Sequence, residues 1–216
     1  MVHFLCGVCL KDKKVKGMAE KLYKITCDLE GDWGGRTDGS DGLDKGLPII
    51  FKLLKERNIK GLFFVSTEVL DKRLSLVQDI INEGHEVGNH GHFHLCYKEK
   101  WRANQDMNIS SNIIRNWSNK EYHEYRAPKF SHQVHGQRYS YRYGHMGLLK
   151  AMWMNKKPKG DEIFYLHPFD IVGGTNPPNL FCKYWYSKPR RALETLINWL
   201  DDFPGDCRLV EVPKEA

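Results

Sequence analysis

No run of apolar residues in this chain approaches the ~18–20 that a membrane-spanning helix needs. Internal repeats and low-complexity linkers are missing as well, so the 216 residues read as one domain, long enough to bury a full core. Cysteines number six and are scattered; only Cys6 and Cys9 form a C-x-x-C, and no second pair stands near to complete a structural zinc site. Ordinary reduced cysteines of a cytoplasmic protein are the expectation, with Cys27 pointing into a core from a strand. The charge balance of +6 comes from short local runs: "KDKKVK" at 11–16, "NKKPK" at 155–159 and "KPRR" at 188–191. No aromatic-studded basic stripe or helix-turn-helix pattern joins them, so solvated loops are expected and nucleic acid is not an expected partner. No positive charge precedes "VHFLCGVCL", and lysines follow it, which is the wrong polarity for a secretory signal. A cytoplasmic location is therefore expected. Met18 reads as an alternative start, which sets residues 1–17 apart as an N-terminal appendage to a single domain over 18–216.

Histidine is scarce too, at 10 residues, yet four of them fall within "HEVGNHGHFHLC", His85 to Cys96. The surrounding pattern explains where that cluster sits. Tyr23, Ile25 and Cys27 alternate with Lys24, Thr26 and Asp28, predicting a strand that ends at Asp28. A Gly/Asp-rich loop, "EGDWGGRTDGSDG", follows. Leu43, Leu47, Ile50 and Leu54 recur at helical spacing up to about Asn58. "GLFFV" (61–65) predicts a buried strand, Leu74, Val77 and Ile81 a helix stopped by Gly84, and "HEVGN" a strand running into the histidines. A helix is expected over Trp101–Trp117, strands at 122–127, 139–143, 162–167 and 207–212, and a last helix at 189–203. This alternation predicts an α/β fold with a parallel sheet, open or closed into a barrel.

In such folds reactive groups gather at the C-terminal ends of the strands. Asp28, the His90–His94 pair, Arg126 and His167 each stand at or just past the end of a different predicted strand. His90 and His94, four apart, fall on one side of a turn and can reach one metal. His85 belongs to the far end of its strand, and His92 points away if the turn is helical. Asp28 and Glu30 are two apart on extended chain and share a face. One can bind the metal while the other acts on a water, and the residues alone leave open which does which. Asp32, Asp38, Asp41 and Asp44 read as loop acids facing solvent. Arg126 can grip a carboxylate with its forked guanidinium, and His167 is a rim histidine or a general acid.

Taken in order, "TCDLEGDW", "EGHEVGNHGHFH", "YRAPKFS" and "YLHPFD" resemble the polysaccharide deacetylases that share the nodulation-type chitooligosaccharide deacetylase domain. The resemblance covers roughly Ile25 to Asp170 and is closest to the branch with an Asp-x-Asp/Glu opening and a His-Pro ending. It implies a distorted (β/α) barrel of about seven short parallel strands and a divalent metal, usually zinc. Carried over, Glu30, His90 and His94 would be the ligands, Asp28 the general base, Arg126 its orienting partner and His167 the acid. The implied activity is metal-dependent removal of N-acetyl groups from an N-acetylated oligosaccharide or sugar precursor, with release of acetate. Three protein ligands leave a position open for water, whose pKa falls toward ~7 on zinc.

Some features depart from that pattern. Gly91, His92 and Phe93 fill the turn where the family commonly has Ser or Thr, and Glu30 stands for a frequent aspartate. Only seven residues separate "RAPKFS" from the strand at 139, fewer than a parallel crossover needs. The barrel is therefore expected to be abbreviated between residues 130 and 160. The family's aspartate-and-tryptophan motif has no counterpart between 132 and 160. Two rival readings follow: another carbon–nitrogen hydrolase on the same barrel, and an inactive sugar- or metal-binding module.

Overall fold

Alternation along one strand sets the centre of the molecule. In β1 (Ile25–Leu29), Ile25, Cys27 and Leu29 face one way and Thr26 and Asp28 the other, and all five are buried. A strand covered on both faces belongs inside a parallel sheet. The computed structural model, which describes residues 25–35, 38–118, 124–130, 145–157 and 162–202, places it there. After β1 come a short turn, α1 (Asp32–Gly35), and a π-helical turn (Gly42–Gly46) leading into α2 (Leu47–Glu56). Then follow β2 (Leu62–Val65), α3 (Thr67–Lys72), α4 (Leu74–Asn82), β3 (Glu86–Asn89) and α5 (Lys100–Ser118). The remainder holds β4 (His145–Gly147), α6 (Leu148–Met154), β5 (Ile163–Leu166), α7 (Leu180–Trp185) and α8 (Pro189–Asp201).

The five strands run parallel in the order β3-β2-β1-β5-β4. Leu47, Ile50 and Leu54 on α2, Val77 and Ile80 on α4, and Leu196 and Leu200 on α8 join the strands in one core. On α8 the buried positions Ala192, Leu196, Trp199 and Leu200 follow helical periodicity, and Trp199 stacks on Phe164 of β5 at 4.2 Å. Cys27 is buried in this core, as its place in the strand implies, and burial pushes its thiol well up.

The sheet is α/β and parallel as expected, but among the described residues it has five strands and is not closed. Of the strand expected at 122–127, the described residues 124–127 contribute a single parallel bridge, Tyr125 to Asn89. Pro128 lacks an amide hydrogen and restricts Ala127 before it, which ends the pairing. The strands expected at 139–143 and 207–212, like the appendage at 1–17, lie outside the described residues. The next described strand begins at His145, so fourteen residues, 131–144, separate it from Phe130. That length suffices for a parallel crossover, so the spacing no longer requires a missing element. The helices α3, α6 and α7 are not expected from the sequence; each is only six or seven residues long.

Candidate active site and metal centre

Glu30 directly follows β1, and its side chain lines the same pocket as that of Asp28. Both carboxylates are buried, at 5% and 3% exposure, at the C-terminal edge of the central strand. The turn that follows is left-handed at Trp33 (φ 61°) and Gly34 (φ 73°) and bends the chain back across the sheet edge. Gly34 is needed there twice over. Its φ disfavours any side chain, and an added Cβ would come within 2.9 Å of His94 Cε1.

His90 leaves β3 with its amide donating to the Val65 carbonyl at 3.0 Å. Its Nδ1 lies 2.8 Å from the Arg126 carbonyl, and His94 Nδ1 lies 3.2 Å from the Gly34 carbonyl. A carbonyl only accepts, so each Nδ1 carries the proton and each Nε2 lone pair is turned inward. Both Nε2 atoms meet Glu30: His90 Nε2 lies 3.4 Å from Oε2, and His94 Nε2 contacts the same oxygen. Ligand atoms of Glu30, His90 and His94 all fall within 4.8 Å of one another, the one such group among the described residues. Glu30 Oε2 is buried without a hydrogen-bond donor among the described residues. A buried carboxylate oxygen facing two nitrogen lone pairs is a donor set that a divalent cation satisfies. The residues therefore fit a metal.

Behind this group lies Arg126, with no exposed surface. Its Nη1 donates to Asp28 Oδ1 at 2.6 Å and its Nη2 to Thr26 Oγ1 at 2.8 Å, while the guanidinium lies 4.1 Å over the Phe64 ring. Burial opposes the charge on Asp28, but Arg126, with help from His90 and His167, outweighs it and holds the carboxyl below its usual range. Burial likewise opposes charge on Glu30, but the neighbouring imidazoles of His90, His94 and His167 outweigh it and hold its carboxyl below the usual range. His90 is raised, with Asp28 and Glu30 overcoming its burial.

His167 follows β5 and reaches the same point from the other side, Nε2 standing 3.7 Å from Glu30 Oε1. Asp170 holds it from behind: Oδ2 accepts the His167 amide at 2.8 Å and lies 3.5 Å from Nδ1. Burial works against a charged His167, yet Asp170, Glu30 and Asp28 raise it to about 10. Asp28, Glu30, His90, His94 and His167 line one pocket of about 350 Å³, walled by the aromatic rings of Trp33, Tyr165, Phe169 and Tyr186.

All six residues singled out from the sequence thus meet at one sheet edge, five in the pocket and Arg126 behind it. The other expectations divide. His85 is at the far end, buried, its Nδ1 accepting from the Gly61 amide at 3.2 Å. His92 does turn away, its Nδ1 2.6 Å from Thr67 Oγ1, but the bridge from His90 to His94 is not helical. It contains left-handed Gly91 (φ 85°), and His94 itself has φ 53°. Asp32 is a correction: it is fully buried rather than solvated. Its Oδ1 accepts from the Gly42 amide, and its Oδ2 from those of Asp41 and Thr175, tying two loops together. Asp170 was within reach of the sequence, since it stands three residues after His167 in "HPFD", the spacing of a capping interaction.

The comparisons with known proteins agree with one another. A family model described as polysaccharide deacetylase matches residues 38–146, half of the chain. Over 47 residues the chain is 43% identical to the peptidoglycan-N-acetylglucosamine deacetylase of Bacillus cereus, a stretch covering 22% of this chain and 17% of that protein. Its backbone is similar to that of peptidoglycan deacetylase PdaC from Bacillus subtilis (TM-score 0.54, 14% identical, 84% of this chain and 82% of that one). It is also similar to wild-type BA3943, a CE4 family pseudoenzyme from Bacillus anthracis (TM-score 0.52, 18% identical, 86% and 63%). At these identities the structural likeness is one of fold.

Proposed function

The chain belongs to the polysaccharide deacetylase family, and from that premise we propose that it is a metal-dependent hydrolase removing N-acetyl groups from an amino sugar. The observation that carries this reading is the convergence of Glu30, His90 and His94 on one point, with Asp28 and His167 on either side of it. Glu30, His90 and His94 would hold a divalent cation, and zinc suits two imidazoles and a carboxylate. When bound, that ion supplies Lewis acidity toward a carbonyl oxygen and toward water.

The protein's own groups do the rest. Arg126 occupies Asp28 Oδ1 and keeps the carboxyl ionised, leaving Oδ2 to take a proton from the attacking water. His167 Nε2 gives a proton to the amide nitrogen, which cannot leave as an anion. Asp170 fixes the ring so that Nε2 points into the pocket. The raised pKa of His167, set by Asp170, Glu30 and Asp28 against its burial, keeps that proton in place before attack. Acetate and a free amino sugar result. The aromatic walls offer flat apolar faces to a sugar ring, and 350 Å³ limits the enclosed part of the substrate to a small group.

The substrate is proposed to be a glycan or a glycan precursor. A nucleotide- or lipid-linked precursor would be met in the cytoplasm, whereas the curated relative is named for peptidoglycan. Among the described residues no helix is long and apolar enough to cross a membrane. The test is acetate release from N-acetylglucosamine oligomers, from peptidoglycan fragments and from a nucleotide-linked N-acetyl sugar, with Asp28→Asn as control. Acetate release abolished by Asp28→Asn supports the proposal. Bound metal with no turnover on any of these substrates points instead to a binding module.

A further inference from the structure

His90 and His94 are joined by three residues, Gly91–His92–Phe93, and the first of these donates its amide to Asn89 Oδ1 at the end of β3 at 2.8 Å. The bridge's carbonyl side docks on the start of α3: the Thr67 amide donates to the Gly91 carbonyl at 3.0 Å, and Ser66 Oγ to the His92 carbonyl at 3.1 Å. Its amide side docks on α5. Asp106 Oδ2 accepts from the His92 amide at 2.8 Å, and Oδ1 accepts from the Phe93 amide at 3.4 Å and from the Tyr97 hydroxyl at 2.9 Å. Asp106 is 5% exposed and lies outside the pocket. We propose that Asp106 is the positioning residue that sets the spacing of His90 and His94 for a divalent cation.

The bridge needs such a hold. His94 sits in the left-handed region at φ 53°, a conformation that is unfavourable for a residue with a side chain and persists only where its surroundings fix it. The amides of His92 and Phe93 belong to the peptides leading into His94, so rotation there would swing its imidazole off Glu30. A carboxylate accepting amide and hydroxyl hydrogens holds them more firmly than a neutral oxygen would. Tyr97 remains a donor, its hydroxyl pushed up to about 12 by burial and by Asp106. The fit is tight at Gly91 as well, where an added Cβ would lie 2.7 Å from Asp106 Oδ2 and φ is 85°. The carboxylate occupies the space that a side chain in this turn would take.

This inference rests on the reading of His90 and His94 as ligands, so its test has one readout that needs a metal and one that does not. The first is Zn2+ affinity by chelator competition, with the Co2+ absorption spectrum reporting ligand geometry. The second is hydrogen exchange of the His92 and Phe93 amides in the metal-free protein. In Asp106→Ala zinc affinity drops ~10–100-fold and the Co2+ spectrum changes, while the two amides exchange at least about tenfold faster. Asp106→Asn keeps the shape and one acceptor and gives intermediate values. Leu54→Ala, a destabilising core truncation on α2, leaves zinc affinity and spectrum as in the parent. Should Asp106→Ala not fold, Asp106→Asn and Tyr97→Phe move the same readouts in the same direction by less. Zinc affinity in folded Asp106→Ala within about twofold of the parent, against the loss expected of a supporting residue, overturns the proposal. So does an equal loss in Leu54→Ala. A parent that binds no zinc sinks the ligand reading itself, and the exchange rates then decide whether Asp106 holds the bridge.

Discussion

The pair formed by Asp28 and Arg126 shows how one residue's chemistry depends on another 98 positions away. Both are buried, and the guanidinium outweighs the effect of burial and holds the Asp28 carboxyl below its usual range. Because the folded pKa of Asp28 is depressed, its contribution to stability is present above its unfolded value and lost as pH falls through the folded one. Arg126→Ala leaves a buried carboxylate without its partner, at a cost of about 3–5 kcal/mol. Thermal melts are expected to show that loss, and the acid limb of the kcat/KM profile is expected to move to higher pH. An unchanged melting temperature would contradict the role assigned to the pair. At this scale the sequence was generous where a motif marks a strand end, as with His90, His94 and His167. It was silent on Asp106, since two of its three partners are backbone amides 13 and 14 residues upstream, which leave no side-chain pattern. Asp32 misled for the same reason, since the Thr175 amide it holds is 143 residues away.

Among the elements, β3 and its approach divide the histidines into two environments. His85 precedes the strand, stacks on Phe51 at 5.7 Å and packs against Phe63 at 5.0 Å, and accepts the Gly61 amide that leads into β2. Burial, with Lys60 nearby, lowers its pKa to about 4. The fold thus holds His85 neutral, and the unfolded chain binds more protons between pH 6.5 and 4. Its contribution is full above the unfolded pKa and lost as pH falls. Allowing for solvent screening, the loss from pH 7 to pH 5 is about 1–2 kcal/mol. Urea melts at the two pH values are expected to show the parent's advantage over His85→Gln shrinking by that amount; parallel changes in both proteins would refute it. Periodicity located β1, β2, β3, α2, α4, α5 and α8 to within a few residues, because each has a buried stripe or run. It missed α3, α6 and α7, which have too few residues to display a period. The non-helical bridge between His90 and His94 was hidden because its left-handed residues are fixed by contacts with α3 and α5.

For the whole molecule, the order of motifs mattered more than any single one. Three of the four short stretches end β1, β3 and β5, and the fourth is bridged to the end of β3 through Tyr125. Parallel topology brings strand ends to one edge, so the meeting of distant residues follows from their order. Closure of the sheet does not, since strand number depends on pairings that local pattern does not encode; here β3 and β4 form the two outer strands of the described sheet. The central claim is that Glu30, His90 and His94 together hold a divalent metal. Zinc content of the purified chain tests it most directly, measured alongside Glu30→Gln, His90→Ala and His94→Ala. About one zinc per folded parent chain, lost in each of the three variants, is the expected result. Full zinc stoichiometry surviving His90→Ala and His94→Ala would contradict it.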